Sequence, residues 1–278
     1  EQVWLRPMLE EIVMKLFMKS NLGLKARVTV GAVTSMVDLL TDVYVTYMFW
    51  TEKKYGYFKA SLASLAVSIG FQMLFVWGQN RKLGMKRVVR EWIPILLGYK
   101  PAVDAYRVAT GAKQEVGAAG DPMMEMTLMK GIEMFAEAIP GVIIQLMAIA
   151  TSDKEVGTSA WLSVAVSAIT TGFASATISY DWDTDPDKRE MAPDFYGYIP
   201  AEARKRTIVF VSMLLFTAGM LLIRCTTIVL LGLMGGSWAF LYIGADLGLY
   251  MLVKILSCLL YTSPSPRDAT LSRMPSSA

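Results

Sequence analysis

Two carboxylates, Glu133 and Glu137, stand one helical turn apart in an otherwise apolar stretch, Lys130 to Ser152 (KGIEMFAEAIPGVIIQLMAIATS). A spacing of four places both on one face of a helix, and Gln145 continues roughly the same side. A second pair with the same spacing, Asp38 and Asp42, lies in the apolar run 28–50. Further on, Arg224 falls in one apolar run, and Asp246 and Lys254 in another. Carboxylates in such surroundings suit a choline or amine group or a small cation. Arginine and lysine suit phosphate. These eight polar residues are the candidate substrate-binding set; no catalytic and no metal-binding residue is assigned.

The elements that carry them are transmembrane helices. About 20 apolar residues cross a hydrocarbon core of ~30 Å. On an insertion scale each charge near the centre costs on the order of 2.5–3.5 kcal/mol, and the eight Leu, Ile, Phe and Val residues of the 130–152 stretch return roughly 2–5 kcal/mol in all. That helix needs a polar interior built by its neighbours. Glu133, close to the helix start, would also be tolerated by the positive end of the helix and by headgroup water. Glu137 lies deeper, and an ionisable group at that depth reads as functional. Pro140 and Gly141 offer a place to break the helix near the midplane.

Composition agrees. Of 278 residues 54% are hydrophobic and only 18% charged, which indicates an all-α, polytopic membrane protein of about six spans. With no histidine anywhere, His-based zinc sites and histidine general bases are excluded. There is no nucleotide-binding loop and no Ser/His/Asp set, so neither an enzyme nor a cofactor is expected. Cys225 and Cys258 both fall in apolar runs and imply no disulfide framework. The acidic run D-W-D-T-D-P-D from Asp181 has the opening of a calcium loop, but Pro186 replaces its glycine and Ala192 its bidentate glutamate. A solvated acidic turn is the expectation there.

In chain order, residues 1–27 form an amphipathic cytoplasmic segment, and 28–260 hold the transmembrane domain. The spans are read at about 28–50, 60–78, 130–152, 158–180, 207–231 and 238–260. Polar residues of the first span, Asp38 and Asp42 included, gather within roughly 140° of arc. Within the polar segment 79–130, the run Trp92–Gly98 is too short to cross and reads as re-entrant or interfacial. The fourth span is rich in Gly, Ala, Ser and Thr, the composition of a central packing helix. In the sixth, Asp246, Tyr250 and Lys254 share a face. Arg224 is expected within salt-bridge or one-water reach of at least one of five carboxylates, Asp38, Asp42, Glu133, Glu137 and Asp246, with those of the first and third spans favoured. Residues 261–278, rich in Ser and Pro, read as a disordered tail appended to the native chain.

Positive charge sets the orientation. Segments 1–27, 79–130 and 181–206 carry five, nine and five Lys/Arg, against three, one and none in the alternate turns. Both termini are therefore expected in the cytoplasm, in the plasma membrane. Cysteines introduced at Lys113 or Arg204 should resist an impermeant maleimide added outside intact cells, and one at Lys154 should react. The reverse pattern would invert the topology.

The run S-M-V-D38-L-L-T-D42-V-Y-V, with Gln72 in the next span, resembles the opening of the XK-related membrane proteins. K-G-I-E133-M-F-A-E137-A-I-P140-G-V-I-I-Q145-L-M resembles their most recognisable helix, with Gly141 where the family has Gln. The resemblance covers about residues 30–180, and more loosely extends to 260. It implies an all-helical fold with re-entrant elements and, in some members, phospholipid movement between leaflets without ATP. Other members act as partners of a membrane enzyme or in transport. A phospholipid scramblase is thus the leading expectation. A secondary transporter or cation channel and a non-transporting scaffold subunit are the alternatives. The expected partners are membrane phospholipids and a membrane protein or second copy, with no nucleic acid.

Overall fold

The computed structural model describes residues 22–112, 120–152, 158–185, 190, 196–200 and 202–261. The amphipathic segment up to residue 21 and the tail from 262 lie outside these. Every regular element among the described residues is helical, and six helices are long and apolar enough to cross a membrane. They cover Gly23–Thr51, Tyr55–Leu83, Pro122–Ala150, Thr158–Thr184, Arg204–Met234 and Gly236–Leu256. Each is bounded by polar turns that extend the helix past its apolar centre, so most spans exceed the limits read from hydrophobicity. The third is extended furthest at its start. It starts at Pro122, with Asp121 before it and Glu125 in its first turn, the residue types that begin helices. The segment 79–130 is therefore not one loop.

Helix α1 (Leu22–Thr51) is followed by α2 (Tyr55–Asn80), which tightens into a 3-10 turn at Arg81–Leu83. Next come α3 (Met85–Leu96) and α4 (Lys100–Ala109), two short helices joined at Gly98. Their hairpin is re-entrant. Gly98 (φ +75°) packs on Leu39, halfway along α1, where a Cβ would come within 2.5 Å of a Leu39 methyl. From that tip α4 runs back along α1: Ala105 packs with Val28, Ala32 and Met126. On the other side Ile95 packs with Val76 and Met129, and the Trp92 indole N–H donates to the Met73 carbonyl at 3.1 Å.

The third span consists of α5 (Pro122–Glu133), a five-residue π turn (Met134–Ala138) and α6 (Ile139–Ala150). Pro140 and Gly141 offered a place to break the span, but the helix runs through them. The π turn absorbs the proline, and the Ala136 carbonyl, four residues before a residue with no N–H, accepts from Ser64 Oγ at 2.7 Å. In hydrocarbon that substitute donor matters. Ser64→Ala is expected to destabilise the protein by about 1–3 kcal/mol, the cost of an unpaired buried carbonyl. Thermal unfolding in detergent measures it.

Helix α7 (Thr158–Thr184) packs through small and hydroxylated residues, among them Ser163, Ser167, Ala168, Thr170, Thr171 and Ala174. It approaches α8 (Ala203–Met234) so closely that a Cβ on Gly172 would lie 2.8 Å from the Leu214 carbonyl. The acidic run begins as the last turn of α7, and it is structural rather than merely solvated. Asp181 pairs with Arg27 at the start of α1. Asp183 accepts from the backbone N–H groups of Gly197, Tyr198 and Ile199 at 2.9–3.1 Å. Residues 186–189 and 191–195 of the calcium-like run lie outside the described part, and no cluster of potential metal ligands occurs among the described residues.

The chain divides into two compact units, residues 1–225 and 226–278. In the second, α9 (Gly236–Tyr261) carries Asp246, Tyr250 and Lys254, and the Lys254 ammonium lies 5.9 Å from the Tyr250 ring centre.

Candidate functional site: a charged interior

The polar arc of α1 turns inward as its pattern requires, against α2, the third span and α7. Asp38 and Asp42 are buried, at 3% and 5% exposure, as are Glu137 and Gln145. Each carboxylate has its own neutral donor. Ser167 of α7 donates to Asp38 at 2.7 Å, and Gln145 Nε2 of α6 to Asp42 at 3.0 Å. Ser68 of α2 donates to Glu137 at 2.9 Å and in turn accepts from Gln72 at 3.1 Å. Ser35 bonds Glu133. Five residues named from spacing alone, Asp38, Asp42, Glu133, Glu137 and Gln145, therefore meet in one interior.

The cation of that interior is Lys130, which spacing did not single out as a site residue. It is buried, donates to the Gly31 carbonyl at 3.2 Å, and stands one turn before Glu133. Two water-sized cavities flank this pair. Ser35, Asp38, Thr170 and Thr171 line one of them together with Lys130 and Glu133. The other is lined by the same pair with Gln72, Lys100 and Asp104. Polar surface thus continues from the bundle interior into the re-entrant hairpin.

There a second charged group is packed. Lys100 Nζ lies 3.0 Å from Glu91, 2.8 Å from Asp104 and 2.7 Å from Glu125, and its side chain is 2% exposed. Arg107 forks onto both oxygens of Glu91. Burial alone would raise the Glu91 carboxyl, but hydrogen bonds from Arg107 and the nearby Lys100 outweigh it and hold it at about 2. Burial pushes Asp104 up to about 6, against the pull of Lys100 and with the Glu125 charge adding to the rise. A signal existed: Lys100, Asp104 and Arg107 recur on one face of α4, and Glu91 is the only acid between Asn80 and Val103. What the spacing lacks is Glu125, supplied by a different span.

Beyond Asp42 the charges end: Thr46 bonds Ser61 at 2.6 Å, and apolar packing follows. Val45, Phe49 and Ala148 form a cluster with Tyr57, Phe58 and Ile144. The charged path therefore spans the half of the bundle shared with the hairpin and stops near mid-depth.

Of the cationic residues named from spacing, Arg224 belongs to the first unit and Lys254 to the second. Arg224 is exposed on α8, and the buried residue beside it is Cys225, at 1%. The buried residues of α8 are Ala218, Cys225 and Val229, and Arg224 falls off that face. None of the contacts made by Asp38, Asp42, Glu133 or Glu137 is to Arg224, so its favoured partners, the carboxylates of the first and third spans, do not pair with it. Asp246 and Lys254 lie on α9, in the second unit. Comparison with protein-family models, with curated proteins and with solved structures finds no match to this chain.

Proposed function

We propose that this multi-pass membrane protein moves phospholipids between leaflets without ATP, in the manner of a scramblase of the XK-related type. The observation that carries the reading is the alternation of charge along the interior. Carboxylates at Asp42, Asp38 and Glu137 are followed by Lys130 with Glu133, and then by Lys100 and Arg107 with Glu91, Asp104 and Glu125. A zwitterionic headgroup needs both signs. Its amine or choline suits the carboxylates, and its phosphate suits Lys130, Lys100 and Arg107. Groups of this kind replace headgroup water, whose loss would otherwise cost many kcal/mol.

The water-sized cavities favour a second reading, transport of a small cation, since neither admits a headgroup as packed. One pair of assays separates the two. Purified protein is reconstituted in vesicles carrying fluorescent phospholipid, and dithionite bleaching beyond the outer-leaflet half reports lipid movement. A cation-flux assay runs beside it. Lipid movement without selective cation flux supports the scramblase. Flux alone supports the transporter, and neither activity leaves a scaffold subunit, whose buried charges specify helix partners.

A further inference from the structure

The outer face of α3 is not explained by the interior path. From the end of α2 into α3 the chain reads Arg81, Lys82, Lys86, Arg87, Arg90, and Glu91 is the only acid as far as Val103. That acid is 1% exposed and turned inward onto Lys100 and Arg107. Arg87 leans toward it, at 3.5 Å. The other four cations, Arg81, Lys82, Lys86 and Arg90, are exposed and have no ion-pair partner among the described residues. Beside them Met85, Val89, Ile93 and Leu96 form an exposed apolar stripe at helical spacing along α3. Lys86 and Arg90 fall along one edge of that stripe, about 100–140° round the helix from Met85.

The location fixes what can cover this face. Arg81 and Lys82 sit where the second span ends, and the Arg81 guanidinium lies 5.8 Å from the ring of Trp77, a residue of the kind found at membrane boundaries. The hairpin then runs to mid-depth, so the stripe meets acyl chains while the four cations stay at headgroup level. We infer that the Arg81–Arg90 edge of the re-entrant hairpin binds anionic phospholipid headgroups of its own leaflet, with the Met85–Leu96 stripe bedded against the tails. Clustered lysine and arginine beside a span attract anionic lipid through the surface field and charge-assisted bonds to phosphate. Apolar contact holds the site in register. This inference rests on the multi-pass architecture and is independent of lipid transport.

The test uses the full chain, delipidated in a neutral detergent and titrated with phosphatidylserine or with phosphatidylcholine. Retained lipid is counted by native mass spectrometry. Phosphatidylserine is expected to be retained in preference, and each neutralised cation to weaken its retention roughly fivefold. Arg81→Gln, Lys82→Gln, Lys86→Gln and Arg90→Gln together should remove the preference. Lys53→Gln with Lys54→Gln and Lys59→Gln, at the other end of the spans, should keep it. If the fourfold variant fails to fold, Lys82→Gln with Lys86→Gln, both exposed, gives a loss of about twenty-five-fold on the same scale. Equal retention of the two lipids overturns the inference. So does a preference that survives the surface variants but is lost in Asp38→Asn with Asp42→Asn, since the lipid would then be held by the interior path.

Discussion

Replacing Lys100 by methionine should prevent the protein from accumulating in a folded state. Three carboxylates, Glu91, Asp104 and Glu125, lie within 3.0 Å of its ammonium, and the side chain is buried. Methionine matches the length and apolar stem, so packing is largely kept and the loss is one of charge. Removing one partner of a buried ionic group costs about 3–5 kcal/mol, because it leaves uncompensated charge in a medium that solvates it poorly. Arg107 still neutralises Glu91, but Asp104 and Glu125 belong chiefly to Lys100. Ordinary domains are stable by only about 5–15 kcal/mol, so a loss of this size is a large share. Yield of monodisperse protein after detergent extraction, with its thermal midpoint, is the measurement. Lys100→Met with Asp104→Asn and Glu125→Gln should recover much of the loss, because the stranded charges go with the cation. Wild-type yield and midpoint in the single variant would show that the network is not structural.

The second large effect is expected on activity rather than on folding. Asp42→Asn keeps the oxygen that accepts from Gln145 Nε2 and removes only the charge. The interior holds several carboxylates close together, so losing one relieves repulsion and leaves stability equal or slightly higher. Transport should fall. A hydrogen bond to a charged group is worth about 1.5–3 kcal/mol, and if Asp42 holds a headgroup amine or a cation in the rate-limiting step the rate drops roughly tenfold to a hundredfold. The dithionite and cation-flux assays read it, with the thermal midpoint as the control for fold. An unchanged rate in a stable variant would mean that Asp42 serves packing alone. Asp42→Ala differs, since it also strands the Gln145 amide, and should lower the midpoint as well.

The contrast between these two residues explains how much the chain discloses about itself. Asp42 and Glu137 were legible because a charge in an apolar helix has few places to go, and a spacing of four fixes its face. Gln145 followed from the same face. The Lys100 network was not legible in the same way, because Glu125 comes from another span and nothing local links them. Arg224 shows the limit from the other side. Apolar neighbours in sequence suggested burial, yet on α8 the buried residues are Ala218, Cys225 and Val229, and Arg224 falls off that face. The hairpin lay between these cases. Its length excluded a full crossing, but only the contact of Gly98 with Leu39 makes it re-entrant.

That contact also has a consequence for biogenesis. A segment of two short helices carrying Glu91, Lys100, Asp104 and Arg107 is far too polar to partition into the bilayer by itself as it leaves the ribosome. Its principal cation cannot be neutralised in full until Glu125 has been synthesised and the third span has entered the membrane. Insertion of α1, α2 and the third span therefore comes first, and the hairpin folds into the cleft between them afterwards, a docking step within the membrane rather than a translocation. A chain truncated before Pro122 should leave the hairpin outside the bilayer, open to protease from the side on which it was made.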